Sequence, residues 1–517
     1  MGGNIVDNNK FMLGVDIGTT STKAVLFRET GEIIAQENNG YDLYTPDIST
    51  AEQDPEEIFQ AVLLSIGNVM KRSQINPNEL TFIAFSSAMH SVIAIDENDK
   101  PLTRCITWAD NRSSHFAKKI KGERNGHAIY LKTGTPIHPM SPLCKITWME
   151  QENPEISKKT KKYIGIKEYV FYKLFNDYVV DYSIASAMGL MNLQSLRWDE
   201  EALQVAGISE NKLSRLVSTK EVFTGCREDY ANEMRILEST RFVIGASDGV
   251  LSNIGVNAIN KGEVAVTIGT SGAIRTVIPK PQTDPKGRIF CYALTEDHWV
   301  IGGPVNNGGI VLRWIRDELA ASEVETAKRL GMDPYEVLTR IASGVEPGSN
   351  GLLFHPFLAG ERAPLWNANV RGSFIGLTLN HKKEHMIRAA LEGVIYNLYT
   401  VFLALVEVMD TPVTSIKATG GFAKSELWRQ MMADIFDQEV IVPESYESSC
   451  LGACLLGLYA LEKIDSFDVV KDLIGSTHRH QPDPQHEKAY REVMPIFISI
   501  SRSLQVEYEK IANYQAE

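Results

Sequence analysis

The stretch GVDIGTTSTKAVLF, residues 14–27, places an acidic residue directly before a Gly-Thr-Thr-Ser turn with apolar residues on both sides. Gly18 lets the backbone approach a ligand closely. Asp16 can hold a Mg²⁺ ion or its water shell, because Mg²⁺ prefers oxygen ligands and bridges carboxylates to nucleotide phosphates. Hydroxyl groups, backbone N–H groups and a positive charge come from Thr19, Thr20, Ser21 and Lys23. The turn therefore predicts a phosphate site, with a plain hairpin as the alternative, since hairpins are rich in Gly and Thr.

The residues around this turn predict a strand meander followed by a helix. FMLGVDI, TKAVLFRE and GEIIAQEN have the length and apolar content of three short strands separated by tight turns. A helical pattern follows from Pro55 to about Arg72, with Asp54 as its N-cap. LTFIAFSS and HSVIAID then return to strands. This order of elements indicates an α/β protein.

The same strand-turn-strand unit occurs a second time. VTIGTSGAIRTVI, residues 266–278, aligns with VDIGTTSTKAVLF and shares Ile-Gly-Thr in the middle. Its turn residues Gly269, Thr270 and Ser271 predict a second phosphate loop, while Thr267 stands at the place of Asp16. We expect the two loops to face each other across a cleft and to hold one polyphosphate, with the metal in one half.

A third glycine element follows, IKATGGFAKSELWRQMMADIF from Ile416. It predicts a short strand, a turn and an amphipathic helix whose N-terminal N–H groups could face a nucleotide. Gly420 and Gly421 would allow a flat ring to lie against the backbone. A Gly pair at a strand-helix junction is common in α/β proteins, so by itself it is weak evidence for a nucleotide site. Its position after the two hairpins makes that interpretation stronger.

Composition restricts what these motifs can belong to. A chain of 517 residues predicts at least two domains, because single cores stop growing at roughly 250 to 300 residues. The net charge of −13 argues against a nucleic-acid or anionic-membrane surface. The polar N-terminus lacks the apolar core of a signal peptide, and apolar stretches such as VFLALVEVM from Val401 are too short to span a bilayer. A cytoplasmic enzyme without a membrane partner is therefore expected.

The six cysteines contain no CxxC pair and predict reduced thiols. Cys450 and Cys454 would share a helix face, but no histidine lies nearby in the sequence. We expect buried apolar thiols there and no structural metal.

Two longer motifs carry a resemblance to a known family. MSPLCKITWMEQE, residues 140–152, and GSFIGLTLNHKKEHMIRAALEG, residues 372–393, resemble the two signatures of the FGGY carbohydrate kinase family. The resemblance extends from about Leu13 to about Gly457. It implies an α/β fold of two ribonuclease-H-like/actin-like ATPase domains around a central cleft. We predict an N-terminal domain over 11–246, a C-terminal domain over 247–480, and a C-terminal helix over 485–514 that Pro495 bends or divides.

The resemblance also assigns roles to residues of the motifs. It implies ATP with Mg²⁺, the first phosphate loop at Asp16 through Lys23, and the second at Gly269, Thr270 and Ser271. The adenosine loop would comprise Gly420, Gly421 and Lys424. The family's general base matches Asp248 in GASDGVLSNIG, where a carboxylate can project from a Gly-rich turn. An N-cap role for Asp248 is the alternative.

The substrate site is predicted in two loops of the first domain, SAMHS and TWADNRSS. They cluster donors and acceptors suited to polyol hydroxyls, namely His90, Trp108, Asp110 and Arg112. Met89, which precedes His90, and Asp248 are predicted to belong to the same site. The stretch around them resembles FGGY kinases that phosphorylate D-gluconate at its terminal hydroxyl to give 6-phosphogluconate. Arg112, with Lys145 behind it, is the candidate for the substrate carboxylate, and a purely structural salt bridge of Arg112 is the alternative.

Other functions stay open at this point. Xylulose or another pentulose or polyol is the alternative substrate, whereas glycerol fits poorly, because glycerol kinases carry Arg-Glu where this chain has Met89-His90. Actin-like filament proteins and chaperone ATPases share the paired phosphate hairpins. The polar substrate loops favour a kinase over them, and no basic module suggests a DNA-binding regulator. The expected partner is a small sugar acid or polyol, and a homodimer would suit the family.

Overall fold

The computed structural model describes residues 9–47, 49–443, 448–474 and 476–516. The chain divides into two compact units. The first unit comprises residues 9–259, 278–300 and 448–474, and the second unit comprises residues 260–277, 301–443 and 476–516, within the described parts of the chain. The functional domains predicted from the sequence, over 11–246 and 247–480, stay a prediction.

The strands of the described residues are β1 (Phe11–Ile17), β2 (Ser21–Arg28), β3 (Ile33–Gly40), β4 (Glu52–Gln53), β5 (Leu80–Ser87), β6 (Ile93–Ile95), β7 (Cys105–Ile106), β8 (Lys162–Ile164), β9 (Val179–Asp181), β10 (Met191–Asn192), β11 (Arg197–Trp198), β12 (Arg215–Val217), β13 (Val222–Phe223), β14 (Phe242–Ser247), β15 (Glu263–Ile268), β16 (Gly272–Ile278), β17 (Phe290–Ala293), β18 (Trp299–Val305), β19 (Leu353–His355), β20 (Ser373–Ile375), β21 (Ser415–Thr419), β22 (Val440–Pro443) and β23 (Ser476–His480).

The α-helices of the same residues are α1 (Pro55–Ser73), α2 (Ser114–Glu123), α3 (Gly126–Thr133), α4 (Pro142–Glu152), α5 (Pro154–Lys159), α6 (Ile166–Phe175), α7 (Tyr182–Ser186), α8 (Glu200–Ala206), α9 (Glu228–Met234), α10 (Asp248–Gly255), α11 (Gly309–Trp314), α12 (Ala321–Leu330), α13 (Pro334–Ser343), α14 (Lys383–Val408), α15 (Glu426–Phe436), α16 (Ser448–Ala460), α17 (Val470–Leu473), α18 (Pro484–Ser503) and α19 (Gln505–Ala516).

The sheet of the first unit has the order β13-β14-β5-β1-β2-β3. Strands β1, β2 and β3 form the predicted antiparallel meander. Strands β5 and β14 add parallel to β1. Helix α1 begins where the sequence predicted, because the Asp54 side chain accepts a hydrogen bond from the N–H of Glu56, and Pro55 has no N–H that would need an acceptor. Its buried face packs against the meander strands.

The second unit repeats this arrangement with strands β18-β16-β15-β21-β22-β23. Strands β15 and β16 form an antiparallel hairpin, and β21 and β22 add parallel to β15 as β5 and β14 do to β1. The internal repeat predicted from Ile-Gly-Thr is therefore confirmed at the level of strand pairing.

Helix α16 belongs to the first unit, although its sequence follows strands of the second. It packs on α10, β1 and β5, and glycines permit that close approach. A Cβ atom on Gly255 would lie 1.8 Å from the carbonyl oxygen of Ser448, and one on Gly14 would lie 2.4 Å from that of Cys450. Cys450 and Cys454 are buried thiols, as predicted. Tertiary packing of this kind leaves no simple mark in the local sequence.

The structure bears on two expectations about helices. VFLALVEVM is only the end of α14, whose 26 residues are long and apolar enough to cross a membrane by length and composition. Of its most apolar window, 78% is buried, as in a core helix. The C-terminal segment is not divided at Pro495, because α18 continues through that residue and ends at Ser503, before α19. Both helices lie in the second unit.

Candidate active site

Three parallel strands of the first unit end at one edge of its sheet. Ile17 of β1 pairs with Ser87 of β5, and Ser87 pairs with Ser247 of β14. The phosphate turn, the SAMHS loop and Asp248 each follow directly after one of these aligned residues. The carboxyl edge of a parallel sheet is where α/β proteins bind ligands. The structure thus brings three sequence-predicted site segments to one edge of one sheet.

Hydrogen bonds to its backbone fix the conformation of the phosphate turn. The N–H of Gly18 donates to the carbonyl of Ser21 at 3.0 Å, which closes the turn. Tyr41 Oη donates to the carbonyl of Gly18 at 2.5 Å, and Gln53 Nε2 donates to that of Thr19 at 2.6 Å. Both outer donors occupy carbonyl groups of the turn rather than its N–H groups, which suits an anion-binding loop. Sequence reasoning missed Tyr41 and Gln53, although the polar stretch AEQDPEE, residues 51–57, leads into the start of α1.

Asp16 is half-buried at the end of β1 and is fixed from the neighbouring strand. Ser86 Oγ donates a hydrogen bond to Asp16 Oδ1 at 2.7 Å. Lys23 lies opposite Asp16 in the β1–β2 register. At the corresponding position of the second unit, the hydroxyl groups of Thr267 and Thr419 lie 3.2 Å apart. The carboxylate is therefore particular to the first unit, as the sequence comparison of the two repeats predicted.

The TWADNRSS loop, one of the two predicted substrate loops, contacts the phosphate turn through Trp108. Its Nε1 atom donates a hydrogen bond to Thr19 Oγ1 at 2.9 Å. Trp108 is half-buried, and Thr107 before it is bonded to the backbone of Ala51. The TWADNRSS segment and the phosphate turn are consequently parts of one connected site in the first unit.

Asp110 and Arg112 are bound to each other and to Glu52. The Asp110 carboxylate is fully buried and accepts hydrogen bonds from the N–H of Ala51 and from Arg112 Nε. The Arg112 guanidinium also pairs with Glu52 and lies 4.8 Å from the centre of the Trp148 ring. One cation between two carboxylates leaves a net negative charge. These contacts favour the alternative in which Arg112 holds the loop by a salt bridge.

Lys145 is fully buried beneath the loops of Met89, His90 and Met140. Its Nζ atom donates to the carbonyl of His90 at 2.9 Å and to that of Met140 at 2.6 Å. Burial lowers the pKa of Lys145 to about 7, although the Asp110 carboxylate raises it. Lys145 thus ties two loops together from behind. Met89 packs partly buried on the adjoining apolar core.

His90 has a left-handed backbone, with a φ of 71°. Its Nδ1 lies 2.8 Å from the carbonyl oxygen of Ala187, and because a carbonyl only accepts, Nδ1 carries the proton. The imidazole is 7% exposed. The ring is thereby held in one tautomer and one orientation.

Asp248 is the first residue of α10 and is half-buried. The N-cap position belongs to Ser247, and Asp248 Oδ1 accepts a hydrogen bond from the N–H of the next residue, Gly249, at 2.6 Å. The N-cap alternative for Asp248 therefore does not describe this helix. A carboxylate at the first turn of a helix is also favoured by the helix dipole.

The second phosphate loop lies between β15 and β16. The N–H of Gly269 donates to the carbonyl of Ser271 at 2.9 Å, which closes a turn one residue shorter than the first. Gly269 and Thr270 are exposed. The N–H groups of Gly309 and Ile310 donate to the carbonyls of Gly269 and Thr270 at 2.7 and 3.1 Å. Sequence reasoning missed these hydrogen bonds. The Asn-Asn-Gly-Gly run at 306–309 is the sequence feature that could have indicated a second turn here.

The Gly-Gly turn of the second unit packs directly on the end of β15. Gly420 has a φ of +102°, and a Cβ atom there would lie 2.3 Å from the carbonyl oxygen of Ile268. Gly421 is exposed, with nothing within 4 Å of a Cβ atom, and Lys424 is also exposed. The turn and the second phosphate loop therefore adjoin each other, and the space beside the Cβ position of Gly421 is open.

Two family models and a curated relative match most of the chain. The model of the FGGY family of carbohydrate kinases, N-terminal domain, matches residues 11–255, and the C-terminal domain model matches residues 264–461. A gluconokinase of Bacillus licheniformis is 72% identical over 505 residues, which cover 98% of each chain.

Solved structures are similar over nearly the whole length. A ligand-bound xylulose kinase from Lactobacillus acidophilus superposes with a TM-score of 0.92 at 37% identity, over 97% of this chain and 100% of that one. A gluconate kinase from Lactobacillus acidophilus gives a TM-score of 0.92 at 36% identity, over 97% and 99%. The predicted two-domain α/β fold of the sugar-kinase and actin-like type is confirmed.

Proposed function

Since the chain belongs to the FGGY family of carbohydrate kinases, which are ATP-dependent sugar kinases, we propose that it transfers the γ-phosphoryl group of ATP to the terminal hydroxyl of D-gluconate. The products are 6-phosphogluconate and ADP. The observation that carries the choice of gluconate is the 72% identity, over 98% of both chains, to a gluconokinase.

The first-unit contacts support a division of labour among its residues. Asp248 accepts the proton of the attacking hydroxyl, because it stands at the sheet edge beside the substrate loop and is not the cap of its helix. The N–H groups and hydroxyls from Gly18 to Ser21 bind phosphate oxygens while Tyr41 and Gln53 hold the turn's carbonyl groups. Phosphoryl transfer needs positioning and charge neutralisation more than covalent chemistry.

Asp16 is the proposed ligand of Mg²⁺ or of its water shell. Its carboxylate is half-buried, fixed by Ser86 and placed directly before the phosphate turn, which fits a cation that takes one carboxylate together with phosphate oxygens. When bound, Mg²⁺ would supply neutralising charge to the phosphate oxygens. In the second unit, Gly269, Thr270 and Ser271 would contact phosphate, and Gly420, Gly421 and Lys424 would contact adenosine.

For the sugar, we propose Met89, His90, Trp108 and Asp110 as the lining of the site, with Lys145 and Arg112 as its supports. Arg112 acts here by holding Glu52 and Asp110, which sets the loop that carries Trp108. A xylulose kinase activity is the second candidate, since a xylulose kinase is among the similar structures. We also propose a cytoplasmic location and a homodimer.

The deciding experiment is a coupled assay of ADP release with gluconate, xylulose, ribulose and glycerol as acceptors. We expect the highest kcat/KM with gluconate, and ³¹P and ¹H NMR of the product should place the phosphate on the terminal carbon. A clear preference for xylulose or another neutral polyol would overturn the gluconate proposal while leaving the family assignment intact.

A further inference from the structure

Strand β14, which leads directly into Asp248, is irregular near its end. Its parallel pairing with β5 shifts register between Val243 and Ala246, so two residues of β14 lie opposite Phe85. These two residues are Ile244 and Gly245. Gly245 has a φ of +70°, and a Cβ atom there would lie 1.7 Å from the carbonyl oxygen of Phe85. Such a bulge interrupts the ladder and re-aims the residues after it, and bulges are frequent next to active sites.

Lys167 of α6 binds the carbonyl groups on both sides of the glycine in this bulge. Its Nζ atom donates hydrogen bonds to the carbonyl oxygens of Ile244 and Ala246, both at 3.2 Å. The side chain is only 3% exposed. Burial lowers the pKa of Lys167, while the negative charges of Asp181 and Asp248 raise it. An ammonium group buried to this degree is costly unless it is paired and hydrogen-bonded.

Asp181 pairs with this lysine and also begins the helix that holds the end of β14. Asp181 Oδ2 lies 2.6 Å from Lys167 Nζ, and Oδ1 accepts a hydrogen bond from the N–H of Ile184 at 3.0 Å. Ser183 Oγ, in the same helix α7, accepts a hydrogen bond from the N–H of Ser247 at 3.1 Å. The residue immediately before Asp248 is thereby tied to the element that Asp181 caps.

We propose that Lys167 is a positioning residue for phosphoryl transfer, whose two hydrogen bonds to the bulge carbonyls set the end of β14 and hence the place of the Asp248 carboxylate. The inference rests on the proposed function, in which Asp248 is the general base. Buried ion pairs are weak sources of stability, because the desolvation penalty can exceed the Coulombic gain. The Lys167–Asp181 ion pair would instead serve to place the Asp248 carboxylate precisely.

The test separates the charge of Lys167 from its hydrogen bonds. Lys167→Met alone leaves Asp181 buried without its cation, and we expect a lower melting temperature. In the double variant K167M/D181N both charges are gone, and the asparagine Oδ1 can still cap α7, so the melting temperature should return towards that of the unmodified chain. The donor to Ile244 and Ala246 is still missing. We therefore expect kcat of the double variant to stay roughly 10- to 100-fold low, with KM for ATP within about twofold.

The matched control is K212M/E150Q, which removes another lysine–carboxylate pair of the first unit, with a 2.8 Å contact. It should leave kcat unchanged. Recovery of both stability and kcat in K167M/D181N would mean that Lys167 only neutralises Asp181, and the proposal would fall. Lys167→Arg is the second variant, because it keeps the cation but displaces the donor atoms. A drop in kcat of at least about fivefold is expected, and unaltered kcat would contradict the proposal.

Hydrogen–deuterium exchange supplies a readout that does not depend on turnover. We expect faster exchange of the amides from 246 to 249 in K167M/D181N than in the unmodified chain, and no change in K212M/E150Q. Unchanged exchange in K167M/D181N would contradict the anchoring role. If the unmodified chain phosphorylates none of the four acceptors, the proposed function fails, while the exchange comparison still decides whether Lys167 anchors this strand end.

Discussion

Gly420 and Gly421 are neighbours that should respond to the same substitution in opposite ways. Gly420 has a φ of +102° and a ψ of 179°, and its Cβ would lie 2.3 Å from the carbonyl oxygen of Ile268. Gly421 lies outside the left-handed region and has nothing within 4 Å of its Cβ position. Gly420→Ala should therefore damage the fold. Gly421→Ala should damage only the binding of whatever occupies the open space.

The magnitudes follow from these contacts. A non-glycine residue in that backbone region costs about 1–3 kcal/mol, and forcing a methyl group against packed backbone costs about 1–3 kcal/mol more. For a unit of this size, at about 2–4 °C per kcal/mol, Gly420→Ala should lower the melting temperature by about 5–20 °C. Gly421→Ala should change the free energy of unfolding by less than about 0.5 kcal/mol. A methyl group in the adenosine site, at about 1–3 kcal/mol, should weaken ATP binding about 5- to 150-fold.

Differential scanning calorimetry measures the first effect, and titration of ATP in the ADP-release assay measures the second. KM for the sugar in Gly421→Ala should stay within about twofold, since the sugar site is assigned to the first unit. An unchanged KM for ATP in a folded Gly421→Ala protein would refute the assignment of this turn to adenosine. Normal stability of Gly420→Ala would refute the geometric reasoning itself.

Three further predictions concern single side chains. Asp248→Asn should keep the fold and ATP binding while kcat falls by about 10² to 10⁴, and near-normal turnover would remove Asp248 from the role of general base. Asp16→Asn should raise the Mg²⁺ concentration needed for half-maximal activity, whereas an identical Mg²⁺ titration would return Asp16 to a structural role. Burial lowers the pKa of His355 to about 4, so the unfolded chain binds the extra proton first and stability should fall by up to about 3 kcal/mol as pH drops from about 6.5 to 4. Calorimetry of His355→Gln should show a weaker pH dependence over that range, and an equal one would contradict this origin.

The elements that local sequence specifies were predicted well. The meander of β1 to β3, the capped start of α1 and the hairpin of β15 and β16 depend on turn residues, caps and apolar runs within a few positions of each other. The internal repeat could be found from the sequence for the same reason, because the shared Ile-Gly-Thr and its flanking strands lie within a few residues of each other. Of the two outcomes expected at Pro495, a bend or a division, the division does not occur there, because a proline removes one hydrogen bond and surrounding packing can carry a helix through that loss.

Contacts between distant segments explain what sequence reasoning missed around the site. Gln53 and Tyr41 support the phosphate turn from 34 and 23 residues away along the chain, and nothing near them marks that role. From the sequence, Arg112 could either bind a substrate carboxylate or hold a loop by a salt bridge, and its contact with Glu52, sixty residues earlier, favours the salt bridge. Such pairings depend on which strands and loops become neighbours in space.

The sequence by itself therefore determined the chemical groups available to this protein: two glycine-hydroxyl turns, a carboxylate before one of them, a Gly-Gly turn and two polar loops, all carried by local patterns. Only the tertiary structure decided how those groups are held. The parallel register of β1, β5 and β14 brings the phosphate turn, the substrate loop and Asp248 to one edge, and Lys167 reaches the last of these strands from α6. Local patterns act through bonds within a few residues, whereas burial and strand register depend on the whole packed chain.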